Sequence, residues 1–142
     1  HTLPNQTNDN WPGYRYAEVL LLLAEALNEQ NKTAEALPLL NKVRDRAFGT
    51  GVSPITTTNQ TTLRNIILHE RRVELAFENK RWIDLVRTGN AVQVMNAYGA
   101  AMKAQFPYLP ANAFNVTENS TLFPVPFTER ELNTQLDQNP GY

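Results

Sequence analysis

From residue 15 onward the apolar positions recur at helical rather than strand spacing. In RYAEVLLLLAEALNE, residues 15–29, Arg15, Glu18, Glu25 and Glu29 fall on one stripe and nearly every other position is apolar. That pattern predicts a helix buried on most of its sides. The polar turn Gln30-Asn31-Lys32 leads into a second helix over 34–48, with Thr33 as its N-cap and Ala36, Leu40, Val43 and Ala47 as its inward stripe. Pro38 lies beyond the free first turn and removes one backbone bond, which predicts a later start or a bend. Gly49 and Gly51 end the helix. Two helices joined by a short turn, with alanines near it, form a tetratricopeptide-like hairpin. One such hairpin cannot bury both of its faces, so further helices that are not part of this chain are expected to pack on it.

The segment 50–60, dense in Gly, Pro, Ser, Thr and Asn, reads as a surface loop. A third helix follows over 61–78, with Leu63, Ile66, Ile67, Val73 and Phe77 as its apolar stripe and Glu70 inside that stripe. Asn79 and Lys80 break the pattern. Trp82, Leu85 and Val86 suggest a short helix closed by Arg87-Thr88-Gly89, and another helix covers 91–105. From Phe106 the chain is rich in Pro, Asn, Thr and aromatics, with one helical turn at 129–132, so the tail should wrap the helices. The expected fold is all-α: a lead-in loop over 1–13, a helical hairpin over 14–49, a charged helical block over 61–105 and an irregular tail over 106–142.

Composition narrows the chemistry. A net charge of −1 on 142 residues leaves no basic footprint for gripping phosphates, so nucleic acid is not an expected partner. With no cysteine there is no disulfide framework and no thiolate nucleophile, and His1 and His69 cannot alone complete a zinc site. No metal and no cofactor is therefore expected. The longest apolar run, 19–24, is far shorter than the ~20 residues that span a bilayer. The chain opens on His1 with no secretory pattern behind it, so it reads as a processed or excised piece.

Ten of the formal charges lie between Arg64 and Arg87, where burial and charge compete. Glu70, Glu74 and Glu78 recur every four residues and line one side of a helix, with Arg71, Arg81, Asp84 and Arg87 in reach. A carboxylate in an apolar stripe costs several kcal/mol unless a guanidinium matches it. The expectation is a buried or half-buried Arg–Glu–Asp network that locks two helices. A glycosidase would use the same residues as acid and nucleophile, Glu70 or Glu74 with Asp84. Interleaved arginines hold carboxyl pKa values down, the wrong direction for a general acid, and the structural reading is preferred. No catalytic residue is assigned.

His69 reads as a helix-surface residue and Trp82 as core. Five Asn-x-Ser/Thr sequons, at Asn5, Asn31, Asn59, Asn115 and Asn119, reflect polar loop composition rather than glycosylation. Trp11, Tyr108 and Phe114 are the aromatics best placed to stack on a ligand, although anchoring loops onto helices is the commoner role.

Several of these segments together resemble the SusD/RagB family, outer-membrane nutrient-binding lipoproteins of Bacteroidetes-type bacteria. Residues 14–26 are similar to its "RYAEvLLxxAEA" helix and 40–47 to its "LNxVRxRA" helix. Residues 70–87 resemble "ERRxELAFExxRWxDLxR", and Leu122-Phe123-Pro124-Val125-Pro126 with Gln138-Asn139-Pro140-Gly141-Tyr142 resemble "LFPIP" and the terminal "QNPGY". The resemblance implies the C-terminal portion of a longer protein whose N-terminal part carries a lipid anchor, displayed on the outer-membrane surface. It further implies that the parent binds an oligosaccharide or related nutrient without cleaving it and hands it to a SusC-like TonB-dependent transporter. The matched motifs are helix-packing and salt-bridge residues, so no ligand-binding residue is carried over. The alternative reading is a tetratricopeptide-like protein-interaction adaptor, which the long aromatic tail disfavours.

Overall fold

The computed structural model describes residues 13–142, and among these the regular structure is all helical. Of the expected lead-in, only Gly13 falls within the described residues. The chain forms two compact units, one ending at Glu78 and the other running from Asn79 to Tyr142.

In the first unit, α1 (Tyr16–Glu29) and α2 (Thr33–Phe48) form the hairpin, and α3 (Gln60–Glu74) packs on it. The hairpin turn is set by backbone geometry. Asn31 adopts a left-handed conformation (φ 61°). The Lys32 N–H donates to the Leu27 carbonyl at 2.9 Å and the Asn31 N–H to the Asn28 carbonyl at 3.0 Å. This is the Schellman closure, in which a short polar residue takes the left-handed position that most side chains resist. Thr33 is the first helical residue rather than the cap, and its neighbour Lys32 holds the cap position without a side-chain bond. Pro38 sits inside an α2 that starts no later than expected, so the lost backbone bond is tolerated within the packed hairpin. Asn59 caps α3, its Oδ1 accepting the Thr62 N–H at 2.9 Å.

The core joins Leu20, Leu21 and Ala24 of α1 to Ala36, Leu40 and Val43 of α2 and Leu63 and Ile67 of α3, with Ile55 and Ile66 packed at its edge. Each fully buried Leu or Ile contributes roughly 1.5–3 kcal/mol. Ala47, expected on the inward stripe of α2, is exposed in the last turn of that helix.

The third helix stops earlier than its sequence period implies. It ends at Glu74, and residues 75–79 form turns in which Phe77 (φ 68°) and Asn79 (φ 58°) are left-handed. Phe77 is 98% exposed and Val73 59% exposed, so neither belongs to the buried stripe. The turn redirects Glu78 onto Arg15, an ion-pair geometry that a continued helix need not supply.

The second unit contains α4 (Arg81–Arg87), α5 (Ala91–Gln105), a 3₁₀ turn (Glu118–Thr121) and α6 (Phe127–Leu132). α4 closes as α1 does, with Gly89 left-handed (φ 70°) and the Asn90 N–H donating to the Leu85 carbonyl at 2.9 Å. Trp82 is half-buried, while Leu85 and Ala91 are buried. No helix among the described residues is long and apolar enough to cross a membrane.

Candidate functional site

Two constructions stand out, a charge lock in the first unit and a braced tail in the second. Glu70 and Glu74 sit on α3 with their side chains only 8% exposed, and each meets an arginine from another helix. Arg44 of α2 donates to Glu70 at 2.6 Å, while its other nitrogens bond the carbonyl and hydroxyl of Ser53 at 2.9 Å. Arg46 of α2 forks both oxygens of Glu74 at 2.8 and 2.6 Å. Arg15, at the head of α1, bonds Glu74 at 3.0 Å, the Glu74 carbonyl at 2.8 Å and Glu78 at 2.7–3.0 Å. Hydrogen bonding to Glu78 is the largest influence on the Arg15 pKa and raises it; burial opposes this, the bond to Glu74 adds to the rise, and the net shift is upward, so this guanidinium stays charged at every accessible pH.

The expected network is thus present but wired differently. It ties three helices rather than two, and it draws in Arg15, Arg44 and Arg46, which lie 26 to 63 residues away in sequence from the carboxylates they meet. Periodicity along one helix finds partners three or four residues apart and is blind to these. Arg71 is paired with buried Glu18 at 3.8 Å, and in the second unit Asp84 pairs with Arg87 at 2.8 Å. His69 is exposed on α3.

At the far end of the hairpin Arg64 grips Glu29 through two bonds of 2.6 Å. That grip lowers the Glu29 pKa, outweighing desolvation. Because the folded value lies below the unfolded one, the pair's contribution is present above the unfolded pKa and is lost as pH falls through the folded one. Both partners are substantially exposed, so the effect is small and screened by salt. Arg64→Gln should therefore lower stability slightly at pH 7 in dilute buffer, and the difference should vanish in 1 M NaCl or at acid pH, as urea titrations would reveal.

A cleft of about 410 Å³ opens between α1 and α2, lined by Arg15, Tyr16, Ala17, Leu20, Lys42, Val43 and Arg46. Lys42 lies 5.2 Å from the centroid of the Tyr16 ring and 3.4 Å from its hydroxyl.

The loops are pinned by one repeated device, a side-chain amide that pairs with both the N–H and the C=O of a single distant residue. Asn41 does this to Ile55 (2.8 and 2.9 Å), Asn96 to Val116 (2.9 and 2.8 Å) and Gln138 to Val125 (2.7 and 3.1 Å). Asn139 also donates to the Phe123 carbonyl at 2.6 Å and Tyr142 to the Leu122 carbonyl at 2.9 Å. The terminal Gln-Asn-Pro-Gly-Tyr thus clasps the Leu-Phe-Pro-Val-Pro segment. Gln138→Ala removes both amide bonds to Val125 and is expected to cost about 1 kcal/mol locally, seen as roughly 5-fold faster hydrogen exchange at the Val125 amide.

Of the candidate stacking aromatics, Tyr108 is 81% exposed with Phe106 tilted behind it at 5.8 Å. Phe114 stands edge-on to Tyr98 at 6.0 Å, and Trp11 lies outside the described residues.

The chain is similar to known proteins over nearly all of its length. The SusD family profile matches residues 2–142. SusD-like protein P2 from Formosa agariphila is 38% identical over 96% of this chain and 27% of its own length, and SusD-like protein P38 from the same organism is 36% identical over 91% of this chain and 24% of its own. Among solved structures, a SusD homolog from Bacteroides thetaiotaomicron aligns with a TM-score of 0.80 and 30% identity over 99% of this chain and 30% of that one. A SusD-like protein from Bacteroides fragilis aligns with a TM-score of 0.67 and 28% identity over 94% of this chain and 26% of that one. The chain spans about a quarter of the length of the curated relatives it matches. With its helical frame, its charge lock and its clasped tail all falling inside that match, the chain belongs to the SusD family.

Proposed function

We propose that this chain is the C-terminal part of a non-catalytic nutrient-binding lipoprotein, displayed on the bacterial outer membrane, that passes an oligosaccharide or related nutrient to a SusC-like TonB-dependent transporter. The observation that carries the non-catalytic reading is the occupation of Glu70 and Glu74. Each is largely buried and held by arginines, so neither offers a substrate the freely accessible carboxyl that glycoside hydrolysis requires. Such a lock is suited to stiffening a frame, and binding proteins present their ligand contacts on loops over a stiff frame. The α1/α2 hairpin is read as one tetratricopeptide-like unit of that frame, and the exposed aromatics of the tail, Tyr108 foremost, as loop-borne surface.

The test is glycan retention by the full-length protein in affinity gels, together with co-purification of a TonB-dependent transporter from outer membranes. Retention without release of shorter sugars supports the proposal. Oligosaccharide turnover that Glu74→Gln abolishes at unchanged melting temperature overturns it. An immunoblot on source cells adds a second check: a band several times larger than 16.1 kDa in the outer-membrane fraction is expected, whereas a soluble 16.1 kDa band would favour the adaptor reading.

A further inference from the structure

α1 is more open than its sequence predicts. Tyr16, in its first turn, is 66% exposed and lines the cleft between α1 and α2. Leu20 and Val43 belong to the core and give that cleft an apolar base together with Ala17, and the rest of its lining is basic: Arg15, Lys42 and Arg46. Three cations gathered beside apolar side chains repel one another unless counter-charges lie close. The charge lock supplies two of these. Glu74 accepts from Arg15 and Arg46, and Glu78 accepts from Arg15. Glu70 adds nothing to the count, because Arg44 neutralises it. The third cation, Lys42, meets the ring and hydroxyl of Tyr16. Asp45, about one turn further along α2, accepts the Gly51 N–H at 2.9 Å instead, and no carboxylate among the described residues pairs with Lys42. The cleft is one negative charge short.

Donors are left over as well. Arg46 reaches Glu74 through Nη2, so its Nε and Nη1 hydrogens have no protein acceptor among the described residues. The Lys42 ammonium uses one of its three hydrogens on the Tyr16 oxygen, and that hydroxyl keeps its own hydrogen to donate. We propose that this cleft binds a sugar ring carrying a single anionic group, a carboxylate or a sulfate. The anionic part follows from the missing charge and the spare donors, since guanidinium and ammonium groups hold such anions through charge-assisted bonds. A neutral sugar would leave Lys42 unmatched. The ring follows from the apolar base beside Tyr16, which suits the C–H face of a sugar, and this half rests on reading the parent as a nutrient-binding protein. A volume of about 410 Å³ lies toward the lower end for small-molecule sites and limits the occupant to about one or two rings.

Lysine footprinting of the full-length protein tests the site. Acetylation of Lys42 by an N-hydroxysuccinimide ester is followed by mass spectrometry, with the exposed Lys32 as reference. Galacturonate or galactose 6-sulfate, at millimolar concentration, is expected to slow Lys42 by about 5-fold and to leave Lys32 unchanged, while galactose and inorganic sulfate do neither. Protection by one of the two acids assigns the site to that group. Calorimetry should then show Lys42→Gln weakening the acid by about 10-fold at an unchanged melting temperature, with Lys42→Arg retaining most of the affinity. Equal protection by inorganic sulfate means an adventitious ion only and overturns the proposal, as does equal protection by galactose. A Lys42 that reacts slowly in the full-length protein without sugar, but fast in this chain, overturns it too, because the parent then fills the cleft itself. If neither acid protects Lys42 although the full-length protein retains a glycan in affinity gels, this proposal falls alone. If no glycan is retained and neither acid protects, the nutrient-binding reading falls with it.

Discussion

Glu74→Gln is expected to destabilise the first unit by about 2 kcal/mol and to lower its melting temperature by roughly 5–10 °C. The figure lies between two limits. Breaking a fully buried ion pair costs about 3–5 kcal/mol, and an exposed one is worth at most about 1 kcal/mol. Glu74 is 8% exposed, but its partners Arg15 and Arg46 are 32% and 63% exposed, so solvent recovers part of what they lose. Glutamine keeps the volume and one acceptor, while its amide donors face two guanidinium groups that can only donate. Arg46→Ala should cost less, well under 1 kcal/mol, because Arg15 still holds Glu74 and Glu78. Circular dichroism melts of the three proteins rank the effects. A Glu74→Gln protein as stable as the parent chain would mean that the lock contributes nothing to the frame.

The same network illustrates how far the sequence could be read. The sequence places α1, α2 and α5 within a residue or two, because their apolar residues recur at helical spacing between polar or glycine-bearing turns. The density of charge around Glu70 and Glu74 announced that arginines must be near, yet the ones used come from α1 and α2. That choice depends on how three helices meet, which a one-dimensional period does not encode. The end of α3 differs for a related reason. Val73, Phe77 and Glu78 fit a continuing helix, whereas the chain turns left-handed at Phe77 and Glu78 bonds Arg15, a residue far away in sequence. In the tail, composition marked the segment as irregular but gave no sign of the amide clasps, since a glutamine pairing with one backbone residue has no local signature. Ligand contacts stayed unassigned because the family motifs are built from packing and ion-pair residues.

Gly99 was equally silent, and it gives the second large expected effect. It lies in α5, where replacing glycine by alanine ordinarily stabilises a helix by up to about 1 kcal/mol. Here the gain should be reversed. A Cβ on Gly99 would collide with the Cβ of Phe114 and stand 3.3 Å from its carbonyl oxygen, and the atom in the way sits next to the backbone, where it cannot swing aside. Phe114 is itself left-handed (φ 57°), with its ring braced edge-on by Tyr98, so the loop has little room to yield. Overpacking of this kind costs about 1–3 kcal/mol, and Gly99→Ala should lose roughly 2 kcal/mol net, with faster hydrogen exchange through residues 106–116. The rescue pattern is the sharper test. Phe114→Ala retains the offending Cβ and should not restore stability, whereas Phe114→Gly removes it and also relieves the left-handed strain. A double-mutant cycle should therefore show strong coupling between positions 99 and 114 for glycine and almost none for alanine. Equal rescue by both would place the cost of Gly99→Ala in the aromatic ring instead of the backbone approach.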